Sequence, residues 1–196
     1  IMGTSFKLIK IGIVGDIGSG KSFIAKQFGF PVFNADNEVA KLYKKDRKVF
    51  NKLKKILPKY FNSFPIKKTQ VSNAILANEL NLKKIIKIVH LEIKKKMNSF
   101  IKKNRDKRII ILDIPLLIEN RINKKNDILV FIQSKKVDIL KKLRKRRNFN
   151  LKLFKIFKRI QLPLDYKKKK SHFIIKNDFK YKSVKIEIKK ILAEVL

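Results

Sequence analysis

Gly15-Asp16-Ile17-Gly18-Ser19-Gly20-Lys21-Ser22 matches the pattern G-x-x-x-x-G-K-[ST] at every fixed position. Each residue type answers a need of phosphate binding. Glycines let the backbone turn so that successive N–H groups face phosphate oxygens. A helix beginning near Gly20 would aim its positive end at the same charge. The Lys21 ammonium can reach the β- and γ-phosphates, and the Ser22 hydroxyl is a hard oxygen suited to Mg²⁺. A chance match in a chain of this composition has odds on the order of 10⁻³. The bland alternative is a glycine-rich turn with an incidental lysine. It is weakened by scarcity, since three of the chain's six glycines fall in these eight positions.

The flanking sequence gives the loop its setting. KLIKIGIV, residues 7–14, predicts a short buried strand ahead of the loop, and SFIAKQFG predicts a helix stopped at Gly29. PVFN (31–34), RIIILDI (108–114), DILVFIQ (127–133) and HFIIKN (172–177) predict four further strands. Pro115 cannot continue the third of these. From about Asn37 to Arg105 apolar residues recur at three- and four-residue steps, as in Val49, Leu53, Ile56 and Leu57, with a break at Pro58–Pro65. KKVDILKKLRKRR and the C-terminal segment also read as helices. Continuous apolar strands alternating with helices predict a parallel sheet covered on both faces. The expected class is α/β, a three-layer P-loop fold with a central parallel sheet of about five strands.

Composition excludes more than it selects. The 196 residues suit one α/β domain, expected over 7–196, with a modest insertion. There is no cysteine, so disulfides, thiol catalysis and Cys-based zinc sites are excluded. The run Leu8–Val14 is broken by Lys10, and the run Ile109–Ile118 contains Asp113 and Pro115. The latter is about half the ~20 residues of a membrane helix. A cytoplasmic protein without signal or membrane segment is expected; because Ile1 precedes Met2, the natural start is expected to differ.

A net charge of +36 suggests nucleic acid, but its make-up argues otherwise. Of 51 basic residues only 8 are Arg. Lys, Asn, Ile and Phe share A/T-rich codons, so drift toward A and T explains the bias without a partner. A reader of bases and phosphates would favour Arg, and the lysines are spread along the whole chain. No specific nucleic-acid partner is expected. The charge should still draw anionic substrates. Lys167–Lys170 reads as a solvated helix face or a mobile segment.

A P-loop alone gives nucleotide binding, not a reaction. GDIGSGKS, FNAD, VHLEI, ILDIPLLIEN, RIQLP and IIKN occur in the order and spacing of dephospho-coenzyme A kinases. The resemblance runs from about Lys7 to the last helix, and the PLL-x-EN and Q-x-P steps are more specific than the P-loop. It implies transfer of the ATP γ-phosphate to the ribose 3′-hydroxyl of dephospho-coenzyme A, with Mg²⁺, a helical acceptor-binding insertion near 37–105 and a lid near 144–170. The expected assembly is a monomer or weak homo-oligomer. The alternative is another P-loop nucleotide or small-molecule kinase.

The resemblance also assigns residues. Gly15 to Ser22 would hold the triphosphate, and Asn177 follows the last strand where the family contacts adenine. Asp36 would orient the acceptor hydroxyl and take its proton; the plain alternative is a helix cap. The family pattern Asp-Ala-Asp is Asn34-Ala35-Asp36 here, so one carboxylate is lost. Asp113 resembles a group holding Mg²⁺ through water, with Ser22; a strand-end Asp satisfied by backbone N–H groups is the alternative. Pro115, Leu116 and Leu117 shape a turn that Glu119 and Asn120 cap or support. His90, where the family has His-Pro and this chain His90-Leu91, would touch the acceptor, although a lone His is usually structural. Arg146 matches a basic family position, and Lys142 stands where Arg is more usual. Both would stabilise the moving phosphoryl group, Lys142 without bidentate geometry. Gln161 and Pro163 form the Q-x-P step, a lid hinge or cap.

Overall fold

A computed structural model describes residues 7–196; the chain start, Ile1 before Met2, lies outside them. Apolar runs set the strands β1 (Ile9–Gly15), β2 (Val32–Asn34), β3 (Ile109–Asp113), β4 (Ile128–Gln133) and β5 (Phe173–Lys176). They form one sheet in the order β2-β3-β1-β4-β5, with every pairing parallel. All five residues of β3 are buried, as a strand covered on both faces requires. The expected class and strand count hold, and the expected strand ends differ from these by one or two residues.

Two compact units divide the described chain. The first contains the sheet and consists of residues up to Asn34, Phe100–Phe149 and Gln161–Leu196. Its core gathers Ile11, Ile13, Ile111, Val130 and Ile132 of the strands. Ile24 of helix α1 (Lys21–Gln27) and Val184 and Ile188 of α9 (Tyr181–Val195) pack against them. Each buried aliphatic side chain contributes about 1.5–3 kcal/mol of hydrophobic stabilisation before entropy is charged against it. Two further helices, α6 (Lys136–Arg144) and α8 (Leu164–Lys170), belong to this unit. Leu117 packs closely on β1: a Cβ at Gly12 would lie 2.5 Å from its Cδ2, so a side chain there would force Leu117 to shift. Leu116, in the turn after β3, has φ 59°.

The second unit is residues 35–99 and 150–160. It holds α2 (Ala35–Lys45), α3 (Arg47–Ile56), α4 (Lys68–Ala77), most of α5 (Leu80–Lys103) and α7 (Leu151–Arg159). The stripe Leu82, Ile85, Val89, Ile93 and Met97 is the buried face of α5, spaced by three and four residues. Asp46 caps α3 by accepting from Val49 N at 3.0 Å. Burial pushes the Tyr43 phenol of this unit up to about 12. The segment expected as a lid is divided, with α7 in the second unit and α8 in the first. No helix among the described residues is long and apolar enough to cross a membrane.

Candidate nucleotide site

Strand register assembles the site. Gly12 of β1 pairs with Leu112 of β3, and Asn34 of β2 pairs with Asp113. The carboxyl ends of β1, β2 and β3 therefore lie side by side, where an open α/β sheet binds ligands. The glycine loop leaves β1 at this edge, and α1 starts at Lys21. The first N–H groups of a helix have no partner within it.

The loop's carbonyls are turned toward protein donors. The Ser19 carbonyl accepts from Asn177 Nδ2 and from Ser134 Oγ, each at 2.8 Å. The Asp16 carbonyl accepts from Ser19 N at 3.2 Å and from Lys21 Nζ at 2.6 Å, and the Gly15 carbonyl from Lys21 Nζ and Lys167 Nζ, each at 3.4 Å. The Asp16 carboxylate accepts from Ile17 N at 2.7 Å. With these acceptors pinned, the loop cannot invert to show oxygen to a phosphate. Gly20 carries two constraints: its φ is 91°, and a Cβ there would meet Asn177 Nδ2 at 2.4 Å. Only glycine satisfies both.

Asn177 is buried and braces the loop: besides Ser19, its Oδ1 accepts from Phe179 N at 2.9 Å. Phe179 is held at φ 63°, a conformation costing a non-glycine residue roughly 1–2 kcal/mol. Lys142 lies over the Phe179 ring, its Nζ 4.0 Å from the centroid. Arg146 is exposed in the turn closing α6, with its backbone N–H on Leu143 O at 3.0 Å.

Asp113 is buried, and its partner is a side chain, not the backbone groups that a structural role suggested. Asn34 Nδ2 donates to Asp113 Oδ2 at 2.6 Å and approaches Ser22 Oγ at 3.4 Å. Ser22, Asn34 and Asp113 thus form one cluster at the loop's edge. Among the described residues no group of three or more His, Asp or Glu could hold a metal by itself.

Asp36 stands exposed in the first turn of α2, two residues beyond Asn34. It lies inside the helix rather than at the position before it. His90 lies on α5 in the second unit, half-buried; burial first, and then the Lys94 ammonium, hold its imidazole below the usual range.

One expectation fails. In the run Lys167–Lys170, Lys167 is not solvated: its side chain is 3% exposed and pairs with Glu119 at 3.0 Å. Its Nζ also donates to Gln161 Oε1 at 2.9 Å. The ammonium's three donors thus go to Glu119, Gln161 and Gly15 O. Glu119 Oε1 accepts in addition from Leu162 N at 3.1 Å, so it ties the turn after β3 to the entry of α8. Lys167, Glu119, Ser134 and Phe179 are the site residues that sequence reasoning missed or undervalued. A cleft of about 210 Å³ adjoins the loop at Asp16, lined also by Gln133, Ser134, Lys136, Asp165 and Lys168, but not by Gly18–Ser22.

A five-stranded parallel sheet with this loop at the end of its central strand defines a P-loop nucleotide-binding fold. Sequence comparison narrows the class. Residues 9–183 match the family model described as dephospho-CoA kinase. The dephospho-CoA kinase of Wolbachia pipientis is 32% identical over 187 residues, covering 93% of this chain and 95% of that one. The chain belongs to the dephospho-CoA kinase family. Solved structures agree on the fold. A Thermus thermophilus protein matches with a TM-score of 0.79 at 22% identity, over 97% of this chain and 99% of that one. A dephospho-CoA kinase from Campylobacter jejuni matches with a TM-score of 0.61 at 22% identity, over 96% and 97%.

Proposed function

We propose that the chain transfers the γ-phosphate of ATP to the ribose 3′-hydroxyl of dephospho-CoA, the step that completes coenzyme A. The observation that carries this reading, beside family membership, is the pinned loop. The carbonyls of Gly15, Asp16 and Ser19 are held by Lys21, Lys167, Asn177 and Ser134, which leaves the amide side for an anion. Phosphoryl transfer needs positioning and charge neutralisation more than covalent chemistry. Lys21 supplies a cation at the loop, and the amides of Gly18 and of Gly20 to Ser22 orient the phosphates. Arg146 and Lys142 add charge around the transferred group, Lys142 on leaving the Phe179 ring.

Asp36 orients the acceptor hydroxyl and takes its proton from an exposed position in the first turn of α2. His90 contacts the acceptor as a neutral imidazole, consistent with its lowered pKa.

The residues present suit Mg²⁺. Ser22 Oγ and the Asp113 carboxylate are hard oxygens brought to one amide nitrogen by Asn34, and these two residues would hold the ion. Bound there, it would neutralise charge on the β- and γ-phosphate oxygens.

The test is a coupled ADP-release assay on the purified chain with dephospho-CoA, AMP, CMP and shikimate as acceptors. Dephospho-CoA should be preferred by orders of magnitude in kcat/KM. Preference for any of the others would end the assignment.

A further inference from the structure

We propose that Asn34 competes with the divalent cation for the oxygens that hold it. Its side-chain amide donates to Asp113 and approaches Ser22, and it must release both when the cation arrives. The inference rests on the cation site at Ser22 and Asp113 put forward above.

Three observations support it. Register places Asn34 and Asp113 side by side on neighbouring parallel strands, so their side chains share a face. The amide nitrogen lies 2.6 Å from Asp113 Oδ2 and 3.4 Å from Ser22 Oγ, and so points at both oxygens at once. Asp113 is 3% exposed, so water cannot readily replace the amide as its donor.

Chemistry makes the two states exclusive. An amide N–H and a cation need the same oxygen lone pairs, and the amide nitrogen has none to offer a metal. Asn34 in this orientation therefore cannot act as a ligand. A carboxylate at position 34 would do the opposite: it would repel Asp113 without metal and attract the cation. Position 34 therefore holds a group that fills the cation's place rather than one that recruits it. The expected consequence is a weakened metal affinity and a metal-free site that is already satisfied.

The probe is Mn²⁺, titrated by electron paramagnetic resonance into protein saturated with ADP and without acceptor, so that no turnover contributes. Affinity for ADP alone is measured on each variant for normalisation. Asn34→Ala should bind Mn²⁺ on the order of tenfold more tightly, the return from no longer breaking a hydrogen bond to a charged group. Asn34→Asp should bind more tightly still. Its metal-free form should melt below the wild type, and Mn²⁺ with ADP should restore it. If Asn34→Ala leaves the affinity unchanged or weakens it, the amide is a support or a ligand and the competition is refuted. If wild type and both variants bind no Mn²⁺ with ADP, the cation site itself is misplaced and both readings fall. Should Mn²⁺ bind the wild type and be lost in Asp113→Asn, the site stands and the Asn34 comparison alone decides.

Discussion

Replacing Lys167 by Met tests whether a lysine hidden in a basic run holds the site together. The side chain keeps its length and loses its charge. Left behind are Glu119, whose side chain is 8% exposed, and the acceptors on Gln161 and Gly15. Glu119 would retain Leu162 N–H as a donor but no opposite charge. Breaking one partner out of a buried ion pair costs about 3–5 kcal/mol, far more than an exposed pair contributes. For a chain of this size about 1 kcal/mol moves the melting midpoint by about 2–4 °C, so the loss should be roughly 6–20 °C. Glu119→Gln should cost a similar amount for the mirrored reason, a buried ammonium without its counter-charge. The double variant carries neither charge, and its cost should fall short of the sum of the two by roughly 1–3 kcal/mol. Urea unfolding of the four proteins at neutral pH measures the three free energies, and thermal melts measure the midpoint shift. A shift under about 2 °C for Lys167→Met, or strict additivity in the double variant, would show that the pair is solvated and the clasp is not real. Lysines of the same run that are exposed, such as Lys169, serve as the control and should shift stability by no more than about 0.5 kcal/mol on removal.

Other outcomes follow from the site. Asp36→Asn should lower turnover on the order of 10²–10⁴-fold while leaving ATP affinity near wild type, because only the acceptor proton loses its base; unchanged turnover in a single-turnover assay removes the assignment. Gly20→Ala puts a Cβ 2.4 Å from Asn177 Nδ2 at φ 91° and should destabilise the fold by about 1–3 kcal/mol while weakening ATP binding by calorimetry. Retained stability and affinity would mean that the Asn177 brace is dispensable. His90 has a folded pKa below its ordinary value, so the unfolded chain binds the extra proton first and stability should fall as pH drops below about 6.5. Comparing wild type with His90→Asn in urea between pH 5 and 8 should show a flatter acid limb in the variant; identical slopes would place the titration elsewhere.

What could be read before the structure was local, and what could not was register or burial. Five apolar runs and one glycine loop were enough for the sheet, because parallel strands covered on both faces need continuous apolar sequence and the loop needs glycine at fixed spacing. Asp113 and Asn34 were each visible as strand-end residues, but their pairing depends on β2 lying next to β3 in one register, which no local pattern encodes. Lys167 was harder still. Four consecutive lysines in a chain with 51 basic residues carry no mark of which one is buried. Helix geometry decides it: α8 turns Lys167 inward toward Glu119 and leaves Lys169 and Lys170 in water. Abundant lysine thus conceals function in this protein more than it advertises it. The basic residue that grips the loop is identified by the acid it meets, and Glu119 was the clue: an acidic residue after a buried strand, in a chain holding only 15 acids, is where a buried cation is expected to find its counter-charge.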